Sequence, residues 1–136
     1  MPHVLVIDDD SRTRAMYESL LEREQCTVVS AENGKAALKH LDHDEINLVI
    51  TDIVMPEMEG LELISHLRNT QPDLPVIAVS GGAHIGPTMY LLFAEKFGAR
   101  YAFEKPVNPA ELLAAVRDCL GRDEGDRVPG GDAGDG

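Results

Sequence analysis

Five short apolar runs alternate with helix-like segments along this chain, and that alternation restricts the fold more than any other feature of it. The runs fall at residues 4–7, 27–31, 46–51, 76–79 and 101–104. Near-continuous hydrophobic stretches of this length suit strands buried on both faces. Strand-length runs separated by helical patterns make βα units, and successive βα units build a parallel sheet covered by helices on each side. At 136 residues the chain suffices for one such α/β domain with a real core.

The intervening segments agree. A first helix is expected from about Ser11 to Glu24, with Met16, Leu20 and Leu21 on its inner face. Asn33-Gly34 alone would suit a hairpin, but helix formers follow it at Lys35-Ala36-Ala37-Leu38, so it reads as a helix start. Pro56 to Gly60 reads as a loop before a helix from about Leu61 to Asn69, stopped by Pro72 and Pro75. Gly86-Pro87 opens another helix that closes at Gly98. Its Tyr90-Leu91-Leu92-Phe93 cannot all face one core; that helix is either unusually buried or meets a partner or a second copy. The last helix has Asn108 as cap, Pro109 as first residue and Glu111 at the capping-box position, with Leu112, Leu113, Val116 and Leu120 as its buried stripe. Residues 1–120 are expected to form the domain. Residues 121–136 are rich in Gly and Asp and are expected to be a disordered tail, either a solvated end or the stub of a linker.

In a parallel sheet the strand carboxyl ends share one rim, where open sheets bind ligands. Here the first run ends in Asp8-Asp9-Asp10, the third in Asp52, the fourth in Ser80 and the fifth in Lys105-Pro106. Carboxylates gathered at one rim repel each other, and a hard divalent cation such as Mg²⁺ (or Mn²⁺) relieves that repulsion. Asp52 then becomes a candidate nucleophile toward a phosphoryl group. Lys105 and Ser80 would share the charge of its oxygens. Simpler roles exist for each residue. An Asp can cap a helix, though a cap needs only one. A Ser at a strand end is most often a turn residue and a Lys a solvated charge.

A formal net charge of −12 argues against nucleic acid or an anionic membrane as direct partners. No apolar stretch reaches membrane-spanning length, and no signal peptide is recognisable. Cys26 and Cys119 stand apart and form neither a disulfide framework nor a zinc motif, so they are expected as buried reduced thiols in a cytoplasmic protein. The run from Gly81 to Thr88 brushes the phosphate-loop pattern but has Pro87 where Lys is needed. His40 and His43 read as solvated helix surface.

In order and spacing, Val4-Leu5-Val6-Ile7-Asp8-Asp9, Asp52-Ile53-Val54-Met55-Pro56, Gly60, Ser80-Gly81, Gly98-Ala99 and Lys105-Pro106 carry a specific likeness. Over residues 3–120 the chain resembles a CheY-like receiver domain of two-component response regulators, of the stand-alone type. The resemblance implies a doubly wound five-stranded parallel sheet ordered 2-1-3-4-5. It implies phosphorylation of Asp52 by a histidine kinase or a histidine phosphotransfer protein. Asp9 and Asp52 would be metal ligands, with Asp8 binding through water and the Val54 backbone carbonyl completing the set. Lys105 and Ser80 would contact the phosphoryl group. Such a domain is no conventional enzyme, but catalyses its own aspartyl phosphorylation and dephosphorylation. Its output face, built by the last two helices and last strand, would meet a downstream protein or a second copy as a homodimer.

The pattern departs at Ala102, where receivers often carry an aromatic switch residue, and at Val107, where Phe is common. Tyr101 and Phe103 should point away from Ala102 across the strand. Three alternatives remain open at this point: a phosphorelay shuttle, a non-phosphorylated interaction module on the same fold, and a flavin or nucleotide binder. Three Asp residues after the first strand disfavour the last, since they would repel a phosphate.

Overall fold

A computed structural model of the chain describes residues 1–53, 59–80, 96 and 98–122. Within them run β1 (His3–Ile7), α1 (Ser11–Arg23), β2 (Thr27–Ala31), α2 (Gly34–His43), β3 (Leu48–Asp52), α3 (Glu59–Thr70), β4 (Val76–Ser80), β5 (Tyr101–Glu104) and α4 (Pro109–Cys119). Every strand pairing is parallel, and the sheet is ordered β2-β1-β3-β4-β5. The expected doubly wound sheet is therefore the observed one. The expected loop at 54–58, the Val54 carbonyl, most of the 86–98 helix and the tail from 123 onward lie outside the described residues.

Alternation along the strands sorts the core into two layers. Leu5, Ile7, Val49, Val76 and Ala78 pack with Ala37 of α2 and Leu63, Ile64 and Leu67 of α3. Val4, Val6, Leu48, Ile50, Ile77 and Val79 pack with Tyr17 and Leu21 of α1 and Leu112, Ala115 and Val116 of α4. Burying each large aliphatic side chain contributes roughly 1.5–3 kcal/mol, so the three central strands supply most of the drive. Ala102 joins the α2/α3 layer, while Tyr101 and Phe103 join the α1/α4 layer, as the sequence implied.

Local signals explain the helix ends. Asn33 Oδ1 accepts from the Ala36 amide and Asn108 Oδ1 from the Glu111 amide, so both Asn residues are N-caps. Gly98 has φ of +84°, and a Cβ there would lie 2.5 Å from Cδ of Arg68. Only glycine fits that approach.

Some boundaries differ from the sequence reading. Met16 is 41% exposed; Tyr17 and Leu21, four apart, make the inner stripe of α1, with Leu20 partly buried beside them. β3 begins at Leu48 rather than Ile46, because Asn47 is tied to His3 through both its amide and its side chain. α3 begins at Glu59, two residues before Leu61. Cys119 is only partly buried, unlike Cys26. No helix among the described residues is long and apolar enough to cross a membrane.

Candidate phosphoryl-acceptor site

Strand register brings the polar strand ends together. Ile7 pairs with Thr51, so Asp8 follows on a level with Asp52; Asp52 pairs with Val79, and Ser80 pairs with Glu104, just before Lys105. Strand alternation then places the side chains. Asp8 continues the row of Val4 and Val6, Asp52 the row of Leu48 and Ile50, and Lys105 the row of Tyr101 and Phe103, all on the α1/α4 side. Ser80 continues the row of Val76 and Ala78 on the other side. Three of the expected residues thus share a face by parity.

The observed contacts follow. Lys105 Nζ donates to Asp8 Oδ2 at 2.8 Å and to Asp52 Oδ2 at 3.2 Å. Asp8 and Asp52 are buried, at 1% and 5% exposure, whereas Asp9 is exposed. One carboxylate oxygen from each of Asp8, Asp9 and Asp52 lies within 4.8 Å of the others. Burial pushes the Lys105 ammonium toward neutrality, but its hydrogen bond to Asp8 and the charges of Asp52 and Asp8 outweigh that and raise its pKa above the ordinary lysine value. The Lys105 amide donates to the Ser80 carbonyl at 2.8 Å, which ties the end of β5 to the end of β4. The Lys105-Pro106 peptide is cis.

The Asp triplet divides its work. Asp10 is the N-cap of α1, its carboxylate accepting from the Arg12 amide at 3.1 Å and the Thr13 hydroxyl at 2.9 Å. The Thr13 and Arg12 hydrogen bonds hold its pKa below the usual carboxylate value. Asp8 and Asp9 belong to the cluster instead. The capping role thus accounts for one Asp of the three.

Three carboxylates against one ammonium leave an excess of negative charge in a small, largely dry space. Such a cluster of hard oxygen donors, with Asp9 open to solvent, fits a divalent cation that keeps some of its waters. The structure also shows a residue that the sequence reading did not single out. Arg14 Nη1 donates to the Asp8 carbonyl at 2.6 Å.

Comparison with known proteins agrees with this geometry. The response regulator receiver domain family matches residues 4–117. A 14.6 kDa protein encoded in the sodA1 3′ region of Leptolyngbya boryana is 37% identical over 120 residues, covering 86% of this chain and 89% of that one. The transcriptional regulatory protein GlrR of Escherichia coli is 34% identical over 118 residues, which are 87% of this chain but 26% of GlrR. This chain thus spans about a quarter of that relative's length. The response regulator TrrA of Thermotoga maritima, solved in complex with Mg²⁺ and BeF, superposes with a TM-score of 0.76 at 31% identity, over 88% of this chain and 100% of that one. The chain belongs to the response regulator receiver domain family, with the CheY-like fold of two-component signalling.

Proposed function

We propose that this receiver accepts a phosphoryl group onto Asp52 from a histidine kinase or a histidine phosphotransfer protein, in the cytoplasm, and signals through the resulting change of charge. The observation that carries this reading is the buried Asp8–Lys105–Asp52 contact with Asp9 beside it at the carboxyl rim. An Asp52 carboxylate oxygen would form a bond to phosphorus as the bond from phosphorus to the donor's histidine nitrogen breaks. Asp8, Asp9 and Asp52 would hold Mg²⁺ (or Mn²⁺), with the Val54 carbonyl as a further ligand. Bound there, the cation supplies Lewis-acid stabilisation of the phosphoryl oxygens. TrrA's complex with Mg²⁺ and BeF supports the choice of ion.

Lys105 has the more specific task. Its ammonium, spread over two carboxylates, would turn toward a phosphoryl oxygen on Asp52. Because Lys105 follows β5 directly and its amide is tied to Ser80, that shift would reach the β5–α4 face, where a downstream protein or a second copy would read it. The Ser80 hydroxyl would take another oxygen. With Ala102 in place of an aromatic, no ring rotation accompanies the shift at that position. Relay to a histidine phosphotransfer protein would use the same acceptor chemistry in reverse.

Intact-mass measurement after incubation with an acyl phosphate and Mg²⁺ tests the reading. One phosphoryl adduct is expected on the natural chain and none on Asp52→Asn. An unmodified mass, or an adduct that survives the substitution, would favour an interaction module that is never phosphorylated.

A further inference from the structure

We infer that Arg14 is a positioning residue for the acidic site, fixing through the Asp8 carbonyl the peptide that joins Asp8 to Asp9. This rests on the reading of Asp8, Asp9 and Asp52 as a cation site. Asp8 is held at every polar atom it has. Its amide donates to the Ala31 carbonyl at 3.2 Å, Oδ1 accepts from the Asp10 amide at 2.9 Å, and Oδ2 accepts from Lys105 at 2.8 Å. The fourth contact, to its carbonyl, comes from Arg14 Nη1 at 2.6 Å. The first three fix the strand end and the carboxylate. The Asp10 amide bond also closes a turn across Asp9, but the fourth contact alone holds the Asp8 carbonyl itself, and because a peptide is planar, the carbonyl direction bears on where Asp9 leaves the chain.

Arg14 can do this because its own backbone is anchored. Its amide donates to the Asp10 carbonyl at 3.1 Å in the first turn of α1, which the Asp10 side chain caps. The half-buried guanidinium reaches back from that turn to the strand end. A charge-assisted bond to a carbonyl is stronger than a neutral one. Asp9 has no comparable constraint, being exposed, and would otherwise lose freedom on binding a cation. Arg14 thus supplies preorganisation, at the cost of placing a positive charge near the cation.

Those two effects have opposite signs, which makes the assignment testable. Arg14→Met keeps the apolar stem and removes both charge and donors. If Arg14 acted on the site through charge alone, the substitution would tighten Mg²⁺ binding. Positioning requires the reverse, a Mg²⁺ affinity about tenfold weaker, in the range seen when residues supporting metal ligands are removed. Titration calorimetry with Mg²⁺ on the full chain reads this directly. Arg14→Lys retains the charge and one donor and should recover part of the loss. In the metal-free protein, the Asp10 amide, which bonds to Asp8, should exchange faster in Arg14→Met than in the natural chain.

Unchanged or tighter Mg²⁺ binding by Arg14→Met, with its far-ultraviolet dichroism intact, would overturn the assignment. If that variant does not fold, Arg14→Lys decides: an affinity equal to the natural chain's would overturn it and an intermediate one would support it. Failure of the natural chain to bind Mg²⁺ would instead sink the cation site itself, while the Asp10 exchange rate would still test the contact.

Discussion

Both rims of the sheet bury titratable groups, and they treat them in opposite ways. At the rim where the strands begin, Cys26 is 2% exposed, and Cys119 lines a hollow with Met1, Pro2, Asn47 and Leu120. Burial pushes both thiols up, Cys119 from the ordinary 9.0 to about 11, so they stay neutral and behave as small hydrophobes. At the opposite rim Asp8 is as deeply buried, and burial pushes Lys105 toward neutrality too. There the Lys105 charge persists because carboxylate oxygens of Asp8 and Asp52 lie within 3.2 Å of its nitrogen. Burial by itself neutralises a group; a buried charge survives only where a second charge meets it. Crowding carboxylates this way opposes stability, and it is tolerated where function uses the charge.

The contrast can be broken most forcefully at Lys105. Lys105→Met would leave Asp8 and Asp52 without their shared cation and should cost roughly 2–4 kcal/mol, somewhat less than the roughly 3–5 kcal/mol for a fully buried pair stripped of one partner, because the Lys105 side chain is 26% exposed. Urea unfolding at neutral pH without Mg²⁺ measures it. The raised Lys105 pKa gives the sign with pH. The advantage of the natural chain is fully present below 10.5, the ordinary lysine value, and shrinks as pH climbs toward the higher folded value. The smallest effect belongs to the thiol rim. Cys119→Ala should change neutral-pH stability by no more than about 1 kcal/mol and leave Mg²⁺ binding and phosphorylation alone. Because the folded thiol holds its proton from 9.0 up to about 11, the natural chain should lose stability across that interval. The Ala variant should lose less.

What the sequence revealed and what it hid follow from the same physics. β2 and β5 coincide with the apolar runs at 27–31 and 101–104, because such runs are stable only when sheet hydrogen bonds satisfy a buried backbone. The convergence of Asp8, Asp52 and Lys105 was legible from their places at strand ends, and alternation explains why their side chains share a face. Residue chemistry alone could not split the Asp triplet, since all three suit both tasks; the family resemblance set Asp8 and Asp9 apart, and the structure adds that Asp10 is the cap. The exposure of Met16 was missed because Tyr17, one residue on, turns the inner stripe of α1 by a fraction of a turn. Arg14 left no signal because its partner is a backbone oxygen, which every residue possesses.

The central claim is that the carboxyl rim stores negative charge for a cation, and thermal melting of the natural chain and Asp9→Asn, with and without Mg²⁺, tests it most directly. Ligand at ten times its dissociation constant contributes about 1.4 kcal/mol, which for a domain of this size is roughly 3–5 °C in Tm. The natural chain should rise by about that much in millimolar Mg²⁺. Asp9→Asn should melt higher than the natural chain without metal, with one repulsive charge gone, and should barely respond to Mg²⁺. A natural chain indifferent to millimolar Mg²⁺, or an Asn variant that rises equally, would contradict the account.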